Sequence, residues 1–94
     1  MNHKVAKRVY KDYDKLPNHI KTMAIEQMEK LKVATNLSEL DNVIHIKGTD
    51  EPYYRMKFNN YRFMLYHDVE TNTVEVISLT HRKDTYKKHN LPWK

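Results

Sequence analysis

Tyr53-Tyr54-Arg55-Met56-Lys57-Phe58-Asn59-Asn60-Tyr61-Arg62-Phe63-Met64-Leu65-Tyr66 is two alternating runs separated by a pair of asparagines. In the first run Tyr54, Met56 and Phe58 fall on one side and Tyr53, Arg55 and Lys57 on the other. That two-residue period belongs to a strand with one buried face. Asn59-Asn60 suits a tight turn, because asparagine tolerates positive φ. In the second run Tyr61, Phe63 and Leu65 share one face, and Arg62, Met64 and Tyr66 share the other. The spacing predicts a β-hairpin that brings Arg55, Lys57 and Arg62 together on one side of a sheet, away from the core.

Downstream, Glu70-Thr71-Asn72-Thr73 reads as a turn and Val74-Glu75-Val76-Ile77-Ser78-Leu79-Thr80 as a strand. That strand is apolar on both faces in places, so it belongs in the middle of the sheet. Its parity groups Val76, Ser78 and Thr80 and carries on to Arg82 at the strand's end. Arg82 to Lys88 is expected to form a short helix, with Tyr86 one helical turn after Arg82. Trp93, in the tail, is expected to pack back on the body.

Upstream, Gly48-Thr49-Asp50-Glu51-Pro52 is a turn that uses the only glycine, and Val43 to Lys47 could be a short strand. Residues 4–16 read as helix, with Val5, Val9, Tyr13 and Leu16 at three- and four-residue steps and Asn2 as N-cap. Pro17 breaks that helix. Asn18 would cap a second one running to about Ala34, with Ile20, Ala24, Met28 and Leu31 as its apolar stripe and Met23 and Ile25 widening it. A short connection makes the pair an antiparallel helical hairpin. The expected architecture is α+β: an N-terminal antiparallel helical hairpin packed on a small antiparallel sheet of three to four strands, then a short C-terminal helix.

The chain has 94 residues, 39% hydrophobic and 31% charged, which is the size of one domain spanning 1–94. One glycine argues against a Gly-rich phosphate loop or a dinucleotide fingerprint. With no cysteine there is no disulfide, thiolate nucleophile or Cys-based metal site, which fits a reducing, cytoplasmic setting. No apolar run approaches a membrane span, and residues 1–8 lack the apolar stretch of a signal peptide. The net charge of +5 points to a polyanionic partner, whether nucleic acid or an acidic protein, or else to an ordinary basic soluble domain. The six histidines are scattered without metal-ligand spacing, so no metal or other cofactor is expected.

Arg55, Lys57, Arg62 and Arg82 with an aromatic nearby is what RNA requires. Cations neutralise phosphate, and a ring offers a stacking plane for an unstacked base. A solvated basic face is the alternative. His81 is the best-tuned acid–base residue by type, but its parity points it opposite to Arg82, towards a structural role. His67 reads as a surface residue at a strand end. Asp84 reads as an anchor for the last segment.

These residues also carry a resemblance. The 53–66 stretch resembles the YYRLRVGDYRIIY segment of the RelE/ParE toxin superfamily, and His81-Arg82-Lys83-Asp84-Thr85-Tyr86-Lys87 resembles its HRKDVYK ending. Ile46-Lys47-Gly48 is similar to the family's LKG, and Lys15-Leu16-Pro17 sits between the helices as in that family. The resemblance covers residues 4–88 and implies the toxin of a type II toxin–antitoxin pair. For the RelE-like branch it implies a metal-independent, ribosome-dependent endoribonuclease that cuts mRNA by attack of a ribose 2′-hydroxyl on the adjacent phosphate. Arg55 and Lys57 would then sit near the attacking hydroxyl and Arg62 would stabilise the phosphorane. Arg82 would assist the leaving oxygen and Tyr86 would position base or substrate. Lys83 and Lys87 would join these five in binding RNA.

The implied partners are an acidic antitoxin, lying over the cationic face or displacing a helix, and the ribosome with its mRNA. A homo-oligomer or a heteromeric complex with the antitoxin is compatible with this. The alternatives are a ParE-like inhibitor of DNA gyrase and an inactive member of the fold that binds antitoxin or nucleic acid. One departure stands out: the family opens with a β-strand of about five to seven residues. Here only the polar Met1 to Val5 precedes the helical pattern, so the first strand reads as missing and a sheet edge as bare.

Overall fold

The computed structural model describes residues 1–87 and 91. The 53–66 hairpin forms as expected: β3 (Tyr53–Phe58) and β4 (Tyr61–Asp68) pair antiparallel, with Arg55 opposite Met64 and Lys57 opposite Arg62. Asn59 takes the left-handed conformation at the turn, φ 53°, a region in which asparagine is tolerated. Around the hairpin lie β1 (Asn2–Val5), α1 (Lys7–Asp14), α2 (Asn18–Val33), β2 (Val43–His45) and β5 (Thr73–His81). The sheet order is β1-β5-β4-β3-β2.

Several expectations need correcting. The sheet has five strands rather than three to four, because the first strand is present after all. Asn2 to Val5 pair parallel with Thr73 to Val76, so Asn2 is a strand residue and not an N-cap, and the β5 edge is not bare along these residues. Three of β1's four residues are exposed, so the strand carries no apolar alternation to read. The first helix therefore starts at Lys7 and not at residue 4.

The short C-terminal helix is not formed over residues 82–87, which run as successive turns. They are joined by Asp84 N–H to His81 O at 2.8 Å and Lys87 N–H to Asp84 O at 3.1 Å. Lys88 and Trp93 lie outside the described residues. Asn18 is the first residue of α2 and not its cap: Pro17 holds the N-cap position, with no side-chain capping bond. Proline suits a helix start because that N–H has no intrahelical partner there.

The core lies between the helices and one face of the sheet. It gathers Val9, Ile20, Ala24 and Leu31 with Met56, Phe58, Phe63, Leu65, Val74, Val76 and Leu79. β5 reaches this face twice because its register shifts. Val76 opposes Leu65 while Ser78 opposes Met64, leaving Ile77 as the extra residue of a bulge. Val76 thus faces the helices, and Ser78 and Thr80 face the opposite side, correcting the parity that grouped all three.

Beyond Val76 the outer edge of β5 has no strand partner among the described residues. Asp12 of α1 takes that place: its Oδ2 accepts the Leu79 N–H at 3.0 Å and the Arg8 Nε at 3.4 Å. The carboxylate satisfies a backbone donor that would otherwise lie against the helix layer. Asp12→Ala is expected to cost about 1–3 kcal/mol, the penalty for stranding a part-buried donor. Asp12→Asn, which keeps an acceptor oxygen, should cost less. Chemical denaturation of the two variants checks this, and equal losses would refute it.

Candidate functional site

The face of the sheet away from the helices carries the expected cations in two rungs. Lys57, Arg62 and Thr80 align across β3, β4 and β5; Ile44, Arg55, Met64 and Ser78 align in the rung beside it. Arg82 follows β5 directly, and its N–H donates to Asn60 O at 2.7 Å, which ties the strand's end to the hairpin turn. Tyr86 returns over the face, where its hydroxyl accepts from Arg55 Nη1 at 3.1 Å. The Arg62 guanidinium is held by turn carbonyls, donating to Tyr61 O at 2.9 Å and Asn59 O at 3.3 Å. Its pKa is pushed down first by burial and then by the positive charges of Arg55 and Arg82, with Tyr86 opposing. Arginine remains charged through such a shift, so the effect is a concentrated positive field. Among the described residues, Arg55, Lys57, Arg62 and Arg82 have no carboxylate ion-pair partner. The Arg55 and Arg62 guanidiniums, each held by a hydrogen bond, can bind a phosphoryl group with Arg82 beside them.

Solved structures share this architecture. The RelB–RelE antitoxin–toxin complex from Methanococcus jannaschii matches with TM-score 0.69 and 28% identity, over 89% of this chain and 95% of that one. The archaeal RelE–RelB complex from Pyrococcus horikoshii matches with TM-score 0.69 and 23% identity, over 86% and 93%. The toxin–antitoxin complex RelBE2 from Mycobacterium tuberculosis matches with TM-score 0.68 and 20% identity, over 86% and 96%. The chain has the RelE toxin fold. No family model matches the sequence, and a search of curated proteins finds no match.

On this RelE fold the seven expected site residues do not all gather. Arg55, Arg62, Arg82 and Tyr86 are near enough for mutual electrostatic influence at Arg62, and Lys57 is exposed opposite Arg62 on the same face. Lys83 is exposed, and its main-chain N–H donates to His81 Nδ1 at 3.2 Å. Lys87 turns elsewhere: its ammonium is 2.7 Å from Asp84 Oδ1, beside a cavity it shares with Arg8, Asp12 and His81. His81 packs edge-on against Tyr61, ring centroids 5.2 Å apart, in the rung that faces the helices. His67 contacts Asn72 at 3.1 Å near the end of β4.

Two supports for this RelE-fold site carry no signal in the sequence. Asn42 brackets the Lys57 main chain, accepting its N–H at 2.9 Å and donating Nδ2 to its carbonyl at 2.8 Å, while the same amide reaches buried Gln27 of α2 at 2.7 Å. Thr85 is buried under the last segment. Neither lies in a periodic pattern that marks it. Among the described residues no group of three or more His, Asp or Glu is placed to hold a metal ion. No helix among them is long and apolar enough to cross a membrane.

Proposed function

We propose that this chain is the toxin of a type II toxin–antitoxin pair and acts as a metal-independent, ribosome-dependent endoribonuclease on mRNA. The observation that carries the reading is the cluster of Arg55, Arg62 and Arg82, unpaired with acids among the described residues and joined by Tyr86, on one face of a RelE fold. RNA cleavage of this kind breaks the bond from phosphorus to the 5′-oxygen and forms one to the neighbouring 2′-oxygen. It leaves a cyclic phosphate and a 5′-hydroxyl.

Negative charge builds on the phosphoryl oxygens, and Arg62, locked by the turn carbonyls, meets it without reorganising. Arg82 stabilises the departing 5′-oxygen, which takes a proton from water to become the 5′-hydroxyl. Arg55 and Lys57 hold the ribose and phosphate beside the point of attack. Lys57, the amine among the five residues, takes the 2′-hydroxyl proton. Tyr86, 49% exposed, offers its ring to a base. The ribosome supplies the alignment of the mRNA that a flat, open face lacks.

Mixing the purified chain with programmed ribosomes and mapping mRNA 5′ ends tests the proposal. New 5′-hydroxyl ends within the occupied codon are expected. An intact message, with gyrase supercoiling inhibited instead, would select the ParE-like reading.

The partner proposed is an acidic antitoxin, by analogy with the antitoxins bound in the solved toxin complexes. The +5 charge and the open cationic face favour an acidic segment. Its affinity is expected to fall as salt rises, because exposed charge pairs are screened over about 8–10 Å. Calorimetric titration across a salt series checks this, and a flat affinity would exclude an electrostatic contribution.

A further inference from the structure

Residues 82–87 carry two of the proposed site residues, yet they form neither helix nor strand. Their internal bonds are local: Asp84 and Lys87 are joined through main chain and side chain, and Asp84 N–H returns to His81 O. Such a run of turns has no ladder to hold its middle on the sheet. Of these six residues only Thr85 is buried, at 2% exposure. Its hydroxyl is 2.9 Å from the Thr80 hydroxyl and 3.3 Å from His81 O. Thr80 stands in the rung of Lys57 and Arg62.

The sheet beneath is also closed over. Met64 and Ser78 are each 1% exposed, although their side faces away from the helices. Among the described residues the 82–87 segment crosses this side, where Thr85 bonds Thr80 and Tyr86 bonds Arg55. Arg82, exposed at one end, and Tyr86, exposed at the other, flank the buried threonine.

We propose that Thr85 is a positioning residue for the cleavage site: its hydroxyl, paired with that of Thr80, pins the 82–87 segment so that Arg82 faces the same phosphate as Arg62 and Tyr86 faces the adjoining base. This rests on the endoribonuclease reading for the identity of the substrate. The anchoring itself does not. Burying a hydroxyl is unfavourable unless it is bonded, and the buried Thr85 hydroxyl meets this through Thr80 and His81 O. Removing both is expected to do less harm than removing one.

The experiment compares Thr85→Val, Thr85→Ser and the double variant Thr80→Val/Thr85→Val with the wild type. It has two readouts. Trypsin nicking at Arg82 and Lys83 reports how often the segment lifts, because cleavage tracks the open population. Single-turnover cleavage on programmed ribosomes reports the site.

Thr85→Val is expected to nick about tenfold faster, and to cut mRNA about tenfold more slowly, the size set by one buried hydrogen bond. Its global melting should be nearly unchanged. Thr85→Ser should match the wild type, and the double variant should recover most of both losses. In a Tyr86→Ala background, Thr85→Val should have less further effect on cutting.

Unchanged nicking in Thr85→Val overturns the anchor. Faster nicking with unchanged mRNA cleavage overturns the positioning role. A serine variant as defective as the valine one overturns the hydroxyl as its basis. A wild type that cuts no mRNA refutes the proposed function instead, and the nicking series still decides whether Thr85 holds the segment.

Discussion

Arg62→Ala is expected to lower single-turnover mRNA cleavage by about 10²–10³-fold, with Arg82→Ala close behind, while both proteins stay folded. The rate loss is that of removing one charge-stabilising group from a preorganised site, about 2.7–4 kcal/mol. The stability losses are much smaller. Arg62 gives up bonds to two turn carbonyls that water can replace in part, about 1 kcal/mol. The Arg82 side chain is exposed and should cost less than about 0.5 kcal/mol, because its contact with the turn is made by the main chain.

Tyr86→Phe separates two roles. It keeps the ring and removes the hydroxyl that accepts from Arg55. His81→Ala is the control: it loses the edge-on packing on Tyr61 and should weaken folding more than cleavage. Cleavage assays beside thermal melts of the same proteins give the result. Full activity in Arg62→Ala and Arg82→Ala, with activity lost only in His81→Ala at an unchanged melting temperature, would move the chemistry to the histidine.

Deleting residues 1–5 should have the largest effect on stability. The deletion removes the whole of β1, including the bond from Asn2 N–H to Asn72 O at 3.0 Å, and strips the edge of β5 beside buried Val74 and Val76. It also removes Val5 and Met1, which pack against the core. Lost ladder bonds and apolar contacts together amount to at least about 3 kcal/mol. That is a large share of the roughly 5–15 kcal/mol that holds a domain together. The melting temperature should fall by more than about 10 °C. The freed edge should drive self-association, visible by size-exclusion chromatography. A truncated chain that melts like the full one and stays monomeric would show that β1 is dispensable.

The hairpin and the second helix were legible because their apolar residues repeat at the period of the element and face one common core. Tyr54, Met56, Phe58, Phe63 and Leu65 declare a strand face, and Ile20, Ala24 and Leu31 a helix face. β1 was illegible for the converse reason. It is an edge strand of four residues, mostly exposed, held by backbone bonds that leave no mark on side-chain type. The β5 bulge was equally hidden, since an extra residue at Ile77 changes the phase of a strand without changing its composition.

Of the site, Arg55, Lys57 and Arg62 could be placed on one face by alternation alone. The groups that brace the sheet carrying them could not. Asp12 reads as one more charge on a charged helix, and Gln27 as a polar interruption of an apolar stripe. Both are partners of distant main-chain or amide groups. The last turn segment passed for a helix because Arg82 and Tyr86 are four residues apart, a spacing that turns can also produce.

The parallel pairing of β1 with β5 also governs when the protein becomes complete. Residues 2–5 leave the synthesising ribosome before the helices and the hairpin, and their partners, 73–76, come after both. The helices can form locally, but the edge pairing must wait for a loop that spans most of the chain to close. Arg82, Thr85 and Tyr86 emerge later still. On the function proposed here, the site is incomplete until residues 82–87 have been made, and an antitoxin already present would meet it as that segment settles on the sheet.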